Sequence, residues 1–180
     1  GVIYPLVVTI VGQVVFPSQA NGSLLTVGGT VVGSSLIGQA NDDPRYFWSR
    51  PSAVNYMQGT SLDSLGASGA TNLSSTSAKL AADVAARDAA FRDGNHLAAE
   101  VTIPDEMLHA SASGLDPHIS PEAARLQVER VALARGIPVE EVARLVEQQV
   151  TPPQLGFLGE PTVNVLQLNL ALDALPPTTS

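Results

Sequence analysis

Cysteine is absent from the 180 residues of this chain, and histidine is scarce. Without thiolates, the chain can form neither a disulfide framework nor a cysteine-ligated metal site. The three histidines, His96, His109 and His118, form no His-x-x-x-His pair that would place two imidazoles on one helix face. We therefore expect no metal centre in this protein.

Positive charge is also scarce. Nine Lys and Arg residues stand against 17 Asp and Glu residues, which leaves a formal net charge of −8. Lys79 is the only lysine, and the arginines are scattered along the sequence. Because binding to a phosphate backbone needs clustered cations, this composition argues against nucleic acid as a partner.

The sequence does contain an uncharged, mostly apolar run at residues 1–16. A membrane-spanning helix needs about 20 apolar residues. We therefore interpret the run as the outer part of a single transmembrane anchor helix whose first part is missing here; the alternative is a buried core element. No Ala-x-Ala-like cleavage site follows it, which disfavours a signal peptide. The first basic residue is Arg45, so we expect the chain after the anchor to lie outside the cytoplasm.

Residues 17–175 are predicted to form one α+β domain. Short strands are predicted at 24–37, around a turn at Gly28 and Gly29, at 98–103, and in the first residues of 163–175. Helices are predicted at 76–91, 121–135, 138–149 and in the later residues of 163–175. The polar residues 49–77 indicate a long loop, and 176–180 indicate a disordered tail.

The sequence between residues 111 and 136 combines a turn with a helix start. Gly114 suits a positive φ, and Asp116, which precedes Pro117, favours an extended or turn conformation. Ser120 is followed by Pro121 and Glu122, which is the order of a helix cap, a first helical residue and a first-turn acid. A polar loop is therefore expected at a helix N-terminus.

This loop allows a chemical hypothesis. Ser113 or Ser120 could serve as nucleophile, His118 as base and Asp116 as the orienting acid of an exported hydrolase. Triad members usually come from separate elements, whereas these lie within eight residues and no Gly-x-Ser-x-Gly motif occurs. We therefore favour a loop stiffened by its own hydrogen bonds and expect no catalytic residue. A module binding a small anion at the Ser120 helix start is the other alternative.

The same stretch resembles a known family. Residues 111–124, SASGLDPHISPEAA, with Gln127 and the Arg-Val-Ala at 130–132, resemble the C subunit of the bacterial Kdp-type potassium-transporting ATPase. Further stretches resemble that family in the same order: 4–9, 19–24, 33–39, 46–53 and 163–169. The resemblance covers nearly the whole chain.

The resemblance implies a non-catalytic accessory subunit of a four-part, ATP-driven potassium uptake complex. Its partners would be a channel-like potassium-binding subunit, a P-type ATPase catalytic subunit and a small membrane peptide. The subunit would be a single-pass protein of the inner membrane, with its main α+β domain outside the cytoplasm. It would support assembly and the passage of potassium ions on the outer side.

ATP binding has been proposed for this family. Carried over by resemblance, the nucleotide loop would involve Ser113, Gly114, Asp116 and Gln127. The topology inferred from charge places that loop outside the cytoplasm, where ATP is scarce. We therefore expect no bound cofactor.

Overall fold

The computed structural model describes residues 1–54 and 68–175. The chain divides into two compact units, Gly1–Ile37 and Gly38–Ser180. Part of the long loop predicted at 49–77, and the whole of the tail predicted at 176–180, lie outside the described residues.

Helices and strands both occur in the described chain, which confirms the predicted α+β class. The helices are α1 Ile3–Val15, α2 Pro17–Ala20, α3 Ala78–Asn95, α4 Asp105–Leu108, α5 Pro121–Arg125, α6 Val128–Arg135, α7 Val139–Gln148 and α8 Val165–Asp173. The strands are β1 Leu24–Val27, β2 Thr30–Ser34, β3 His118–Ile119, β4 Val150–Thr151 and β5 Thr162–Asn164.

The first unit consists of α1, α2 and a β-hairpin. The apolar run forms α1, which contains no buried residue and ends at Val15, before Pro17 begins α2. In the described residues, no helix has both the length and the apolar character needed to cross a membrane. The predicted turn at Gly28 and Gly29 is confirmed, since both adopt positive φ between the antiparallel strands β1 and β2.

The second unit is built on a small antiparallel sheet with the order β3-β5-β4. On β5, Val163 pairs with Ile119 on one side and Val150 on the other. The core packs here among α3, α5, α6, α7 and α8. Its largest fully buried apolar side chains are Phe47, Ile119, Val131, Val142, Val146, Val163, Leu168 and Leu172.

The helix predicted at 121–135 is in fact two helices, α5 and α6, separated at Leu126 and Gln127. The cause is the side chain of Gln127, whose Nε2 donates to the Ala123 carbonyl at 3.2 Å. The backbone N–H of Gln127 instead donates to Ala124, one residue nearer. An amide side chain thus takes the acceptor that a continuous helix would use.

The strand predicted at 98–103 is wrong. The Ala98 carbonyl accepts from the Val101 N–H and from the Arg92 guanidinium, so the chain turns there instead of pairing with a strand. The other predicted helices are confirmed with small shifts of their ends. In α7, Val142, Leu145 and Val146 are buried, whereas Val139 is 43% exposed.

A chain that begins at Gly38 should fold by itself. Every buried apolar side chain of the described residues lies between Phe47 and Leu172, inside the second unit. We expect this shortened chain to show helical circular dichroism and one cooperative thermal transition, because its core is complete. A chain that is unfolded by circular dichroism would show that the first unit supplies part of the core.

Candidate functional site

The segment 43–54, which contains no helix or strand, contacts two groups of polar residues. The first group lies on helices and includes Gln127, and the second lies on the loop that contains Ser113 and Asp116. Helix side chains contact this segment at its first half. Residues 111–118, which comprise a loop and the first residue of β3 and which we call the central loop, contact its second half. The segment therefore connects Gln127 with the central loop, the two features that the sequence analysis singled out.

Two carboxamide side chains replace a neighbouring strand at the middle of the segment. Asn169 of α8 accepts from the Phe47 N–H at 2.8 Å and donates to the Phe47 carbonyl at 3.0 Å. Gln127 accepts from the Trp48 N–H at 2.7 Å and donates to the Trp48 carbonyl at 3.3 Å. The backbone N–H and C=O groups of Phe47 and Trp48 are thereby all hydrogen-bonded without a neighbouring strand. A buried backbone requires such partners.

A buried guanidinium binds the backbone just before Phe47 and Trp48. Arg130 of α6 is 4% exposed, and its guanidinium carbon lies 4.0 Å from the centroid of the Trp48 ring. Burial lowers the pKa of Arg130 to about 10, so it remains charged at neutral pH. Its hydrogen-bond acceptors are Asn95 Oδ1 at 2.8 Å, Pro44 O at 2.6 Å, Tyr46 O at 2.9 Å and Gln127 Oε1 at 2.8 Å.

The central loop is attached to the second half of the segment. The Ser111 N–H donates to the Pro51 carbonyl at 3.0 Å, and the Ser52 hydroxyl donates to the Gly114 carbonyl at 2.8 Å. Gly114 has φ +70°, which confirms the predicted positive φ. A Cβ at this position would lie 2.5 Å from Val54 Cγ2 and 2.8 Å from the Gly69 carbonyl oxygen, so the close approach also requires glycine.

Asp116 joins the central loop to Arg50 of the segment. Its Oδ2 accepts from Arg50 Nη1 at 2.6 Å, and its Oδ1 accepts from the His118 N–H at 3.0 Å and lies 3.5 Å from His118 Nδ1. The imidazole of His118, then its backbone N–H and the Arg50 guanidinium, lower the pKa of Asp116 to about 2, against partial burial, which raises it. Asp116 is therefore ionised at neutral pH.

The two candidate nucleophiles are used as local structural groups. Ser113 Oγ accepts from the Leu115 N–H at 3.1 Å. Ser120 Oγ accepts from the Ala123 N–H at 3.0 Å and caps α5, as the sequence predicted. Within the described residues, no hydrogen bond joins either hydroxyl to His118. The contacts thus bring His118 to Asp116 but not to a serine, and the absence of catalytic residues stays a prediction.

The four residues of the family-proposed nucleotide loop do not share one surface. Gln127 has an exposed fraction of 0%, and its amide bonds to Trp48, Ala123 and Arg130. Ser113, Gly114 and Asp116 lie on the central loop, which contacts the second half of the segment. The expectation of no bound cofactor stays a prediction.

Sequence reasoning missed the roles of Asn95, Arg130 and Asn169. A usable signal was present, because each is a polar residue placed where its helix is otherwise turned toward the core. Asn169, for example, lies between the buried residues Leu168 and Leu172 on α8. The sequence could not show that Arg130 and Asn169 bond to the segment, because Arg130 is 86 residues from Pro44 and Asn169 is 122 residues from Phe47. Nor could it show that Asn95 bonds to Arg130, 35 residues further along the chain.

Together, the fold and these contacts define an α+β domain in which the motif residues mainly form hydrogen bonds with other residues of the same domain. The family described as KdpC, K+-transporting ATPase, c chain, matches residues 1–174. The potassium-transporting ATPase KdpC subunit of Allorhizobium ampelinum is 52% identical over 178 residues, which cover 99% of this chain and 90% of that relative.

Two further relatives carry the same name. The KdpC subunit of Burkholderia cenocepacia is 54% identical over 175 residues, covering 97% of this chain and 88% of the relative. That of Synechocystis sp. is 49% identical over 172 residues, covering 95% and 88%. The chain therefore belongs to the KdpC family, and the resemblance drawn from its motifs is confirmed.

Gly114 and Gly136 have similar φ values but different surroundings. Alanine substitutions at the two positions therefore separate the energetic cost of the left-handed conformation from the cost of close contacts. Gly136 has φ +66° and no atom within 4 Å of a built Cβ, so Gly136→Ala should cost about 1–2 kcal/mol for the left-handed conformation alone. Gly114→Ala should cost roughly a further 1–3 kcal/mol, because Val54 and Gly69 must move. Denaturant unfolding measures both costs, and equal values would show that the close packing at Gly114 is unimportant.

The Asp116 contacts should also give a pH-dependent contribution to stability. Because the folded pKa of Asp116, about 2, lies below its unfolded value, the contribution is complete above pH values near 4 and is lost as the pH falls through 2. Asp116→Asn should therefore melt below the wild type at about pH 6, and the difference should narrow toward about pH 2. A difference independent of pH would contradict this assignment.

Proposed function

We propose that this chain is a non-catalytic accessory subunit of an ATP-driven potassium uptake complex. Membership of the KdpC family supports its place in that complex. The observation that carries the non-catalytic role is the use of the candidate site residues in internal hydrogen bonds. Ser120, Asp116 and Gln127 satisfy backbone groups of their own domain, so the domain contributes a defined shape.

The partners of the chain are the other Kdp subunits. By family resemblance these are a channel-like potassium-binding subunit, a P-type ATPase catalytic subunit and a small membrane peptide. In this proposal ATP is hydrolysed by the catalytic subunit, and this chain supports assembly and the passage of potassium ions on the outer side.

The proposed location is the inner membrane, with the second unit outside the cytoplasm. In support, residues 1–16 carry no charged side chain, and α1 buries none of its apolar residues. Its 13 residues span roughly 20 Å, against about 30 Å for a hydrocarbon core. We propose that α1 is the outer part of an anchor and that lipid covers its apolar side chains.

The non-catalytic role is tested in the assembled complex with Ser113→Ala and His118→Ala. We expect potassium-stimulated ATP hydrolysis to stay within a few-fold of the wild type, because loss of a true nucleophile or base costs orders of magnitude. Copurification of the other subunits shows that each variant is assembled. A loss of orders of magnitude in an assembled complex would restore the hydrolase hypothesis.

A further inference from the structure

The loop between β4 and β5 exposes an apolar group of side chains. Beyond the paired residues Thr151 and Thr162, the chain continues as a narrow turn closed by a bridge between Gln154 and Leu158. We call residues 154–158 the hairpin tip. All of its residues are exposed, so the tip extends from the edge of the second unit into solvent.

Large apolar side chains are concentrated at this tip. Leu155 is 82% exposed, Phe157 74% and Leu158 50%. Among the described residues of the second unit, the other exposed large apolar side chains are Leu133, which is 76% exposed, and Val139, which is 43% exposed, and both lie on helices. Single exposed apolar residues are ordinary, whereas a contiguous group marks a contact surface.

The tip has a fixed backbone conformation. The Gln154 N–H donates to the Leu158 carbonyl, and the Leu158 N–H donates to the Gln154 carbonyl, both at 2.9 Å. Leu155 adopts φ +55°, a region that a bulky residue occupies at an energetic cost. A side chain presented by a rigid turn loses little conformational freedom on binding, which suits insertion into a preformed pocket.

The charge of the tip indicates whether a protein pocket or a lipid surface covers it. From Gln148 to Gly159 the chain has no charged residue, and the flanking charges are Glu147 and Glu160. Loops and helices that bind anionic bilayers carry Lys or Arg beside their apolar side chains. The tip has none, and the whole chain has a net charge of −8, so an apolar pocket of a protein fits it better.

We propose that the hairpin tip inserts Leu155 and Phe157 into an apolar pocket on another subunit of the potassium-transporting complex. This inference rests on the proposed function as an accessory subunit and assigns it an interaction surface. The side chains act as central anchors of that interface, since a few buried aromatic and aliphatic residues carry most of the binding energy in protein contacts.

The test uses the affinity-tagged full chain expressed with the other subunits and purified in detergent. Phe157→Ser removes the aromatic anchor. Leu155→Asn removes the aliphatic one and favours the left-handed conformation, so it should not lower the melting temperature. Leu133→Ser on α6 is the matched control, because Leu133 is 76% exposed and lies outside the tip.

We expect each tip variant to weaken retention of the other subunits about tenfold or more, while Leu133→Ser stays within about twofold. Retention equal to the wild type in both tip variants would overturn the inference. It would also be overturned if the tip variants lost binding to protein-free liposomes of anionic lipid but kept the subunits, since that result assigns the tip to the bilayer.

Failure of the proposed function is separately visible. If the wild-type chain retains no other subunit, then the accessory role fails whatever the tip does, and the inference fails with it. If the wild type assembles and the tip variants assemble equally well, only the hairpin-tip inference fails. A photoreactive phenylalanine analogue placed at residue 157 should form a crosslink to a tagged Kdp subunit, whereas the same analogue at residue 133 should not.

Discussion

The second unit depends on how the peptide groups of Phe47 and Trp48 are satisfied. An unpaired buried backbone group costs about 1–3 kcal/mol, and among residues 1–54 and 68–175 no strand pairs with this part of the chain. The carboxamides of Asn169 and Gln127 supply the missing donors and acceptors. Arg130 then binds the carbonyls of Pro44 and Tyr46 and also the Gln127 amide, which joins these contacts into one network.

This network joins motifs that are far apart in the sequence. The aromatic motif at 46–53, the helix residues 127–132 and the motif at 163–169 meet at the same segment. From there Arg50, Pro51 and Ser52 hold the central loop by its carboxylate and backbone groups. The residues that suggest chemistry in the sequence, among them Asp116, Ser120 and Gln127, thus make hydrogen bonds within their own domain.

Features set by neighbouring residues could be predicted from the sequence. The Ser120 cap, the hairpin turn at Gly28 and the positive φ of Gly114 each follow from local preferences. The break at Gln127 could not be predicted, because it arises where a side chain bonds both to its own helix and to Trp48, 79 residues away. The two-residue strand β3 was missed for a similar reason, since it is defined by its pairing with β5.

The most direct test of this account is denaturant unfolding of Gln127→Met, followed by the fluorescence of Trp48, the only tryptophan in the chain. Methionine has a similar volume but cannot bond to the Trp48 peptide groups or to Arg130. The account predicts a loss of about 2–4 kcal/mol in the free energy of unfolding and a red-shifted native emission. Unchanged stability and emission, with potassium transport lost in the assembled complex, would contradict the structural role of Gln127.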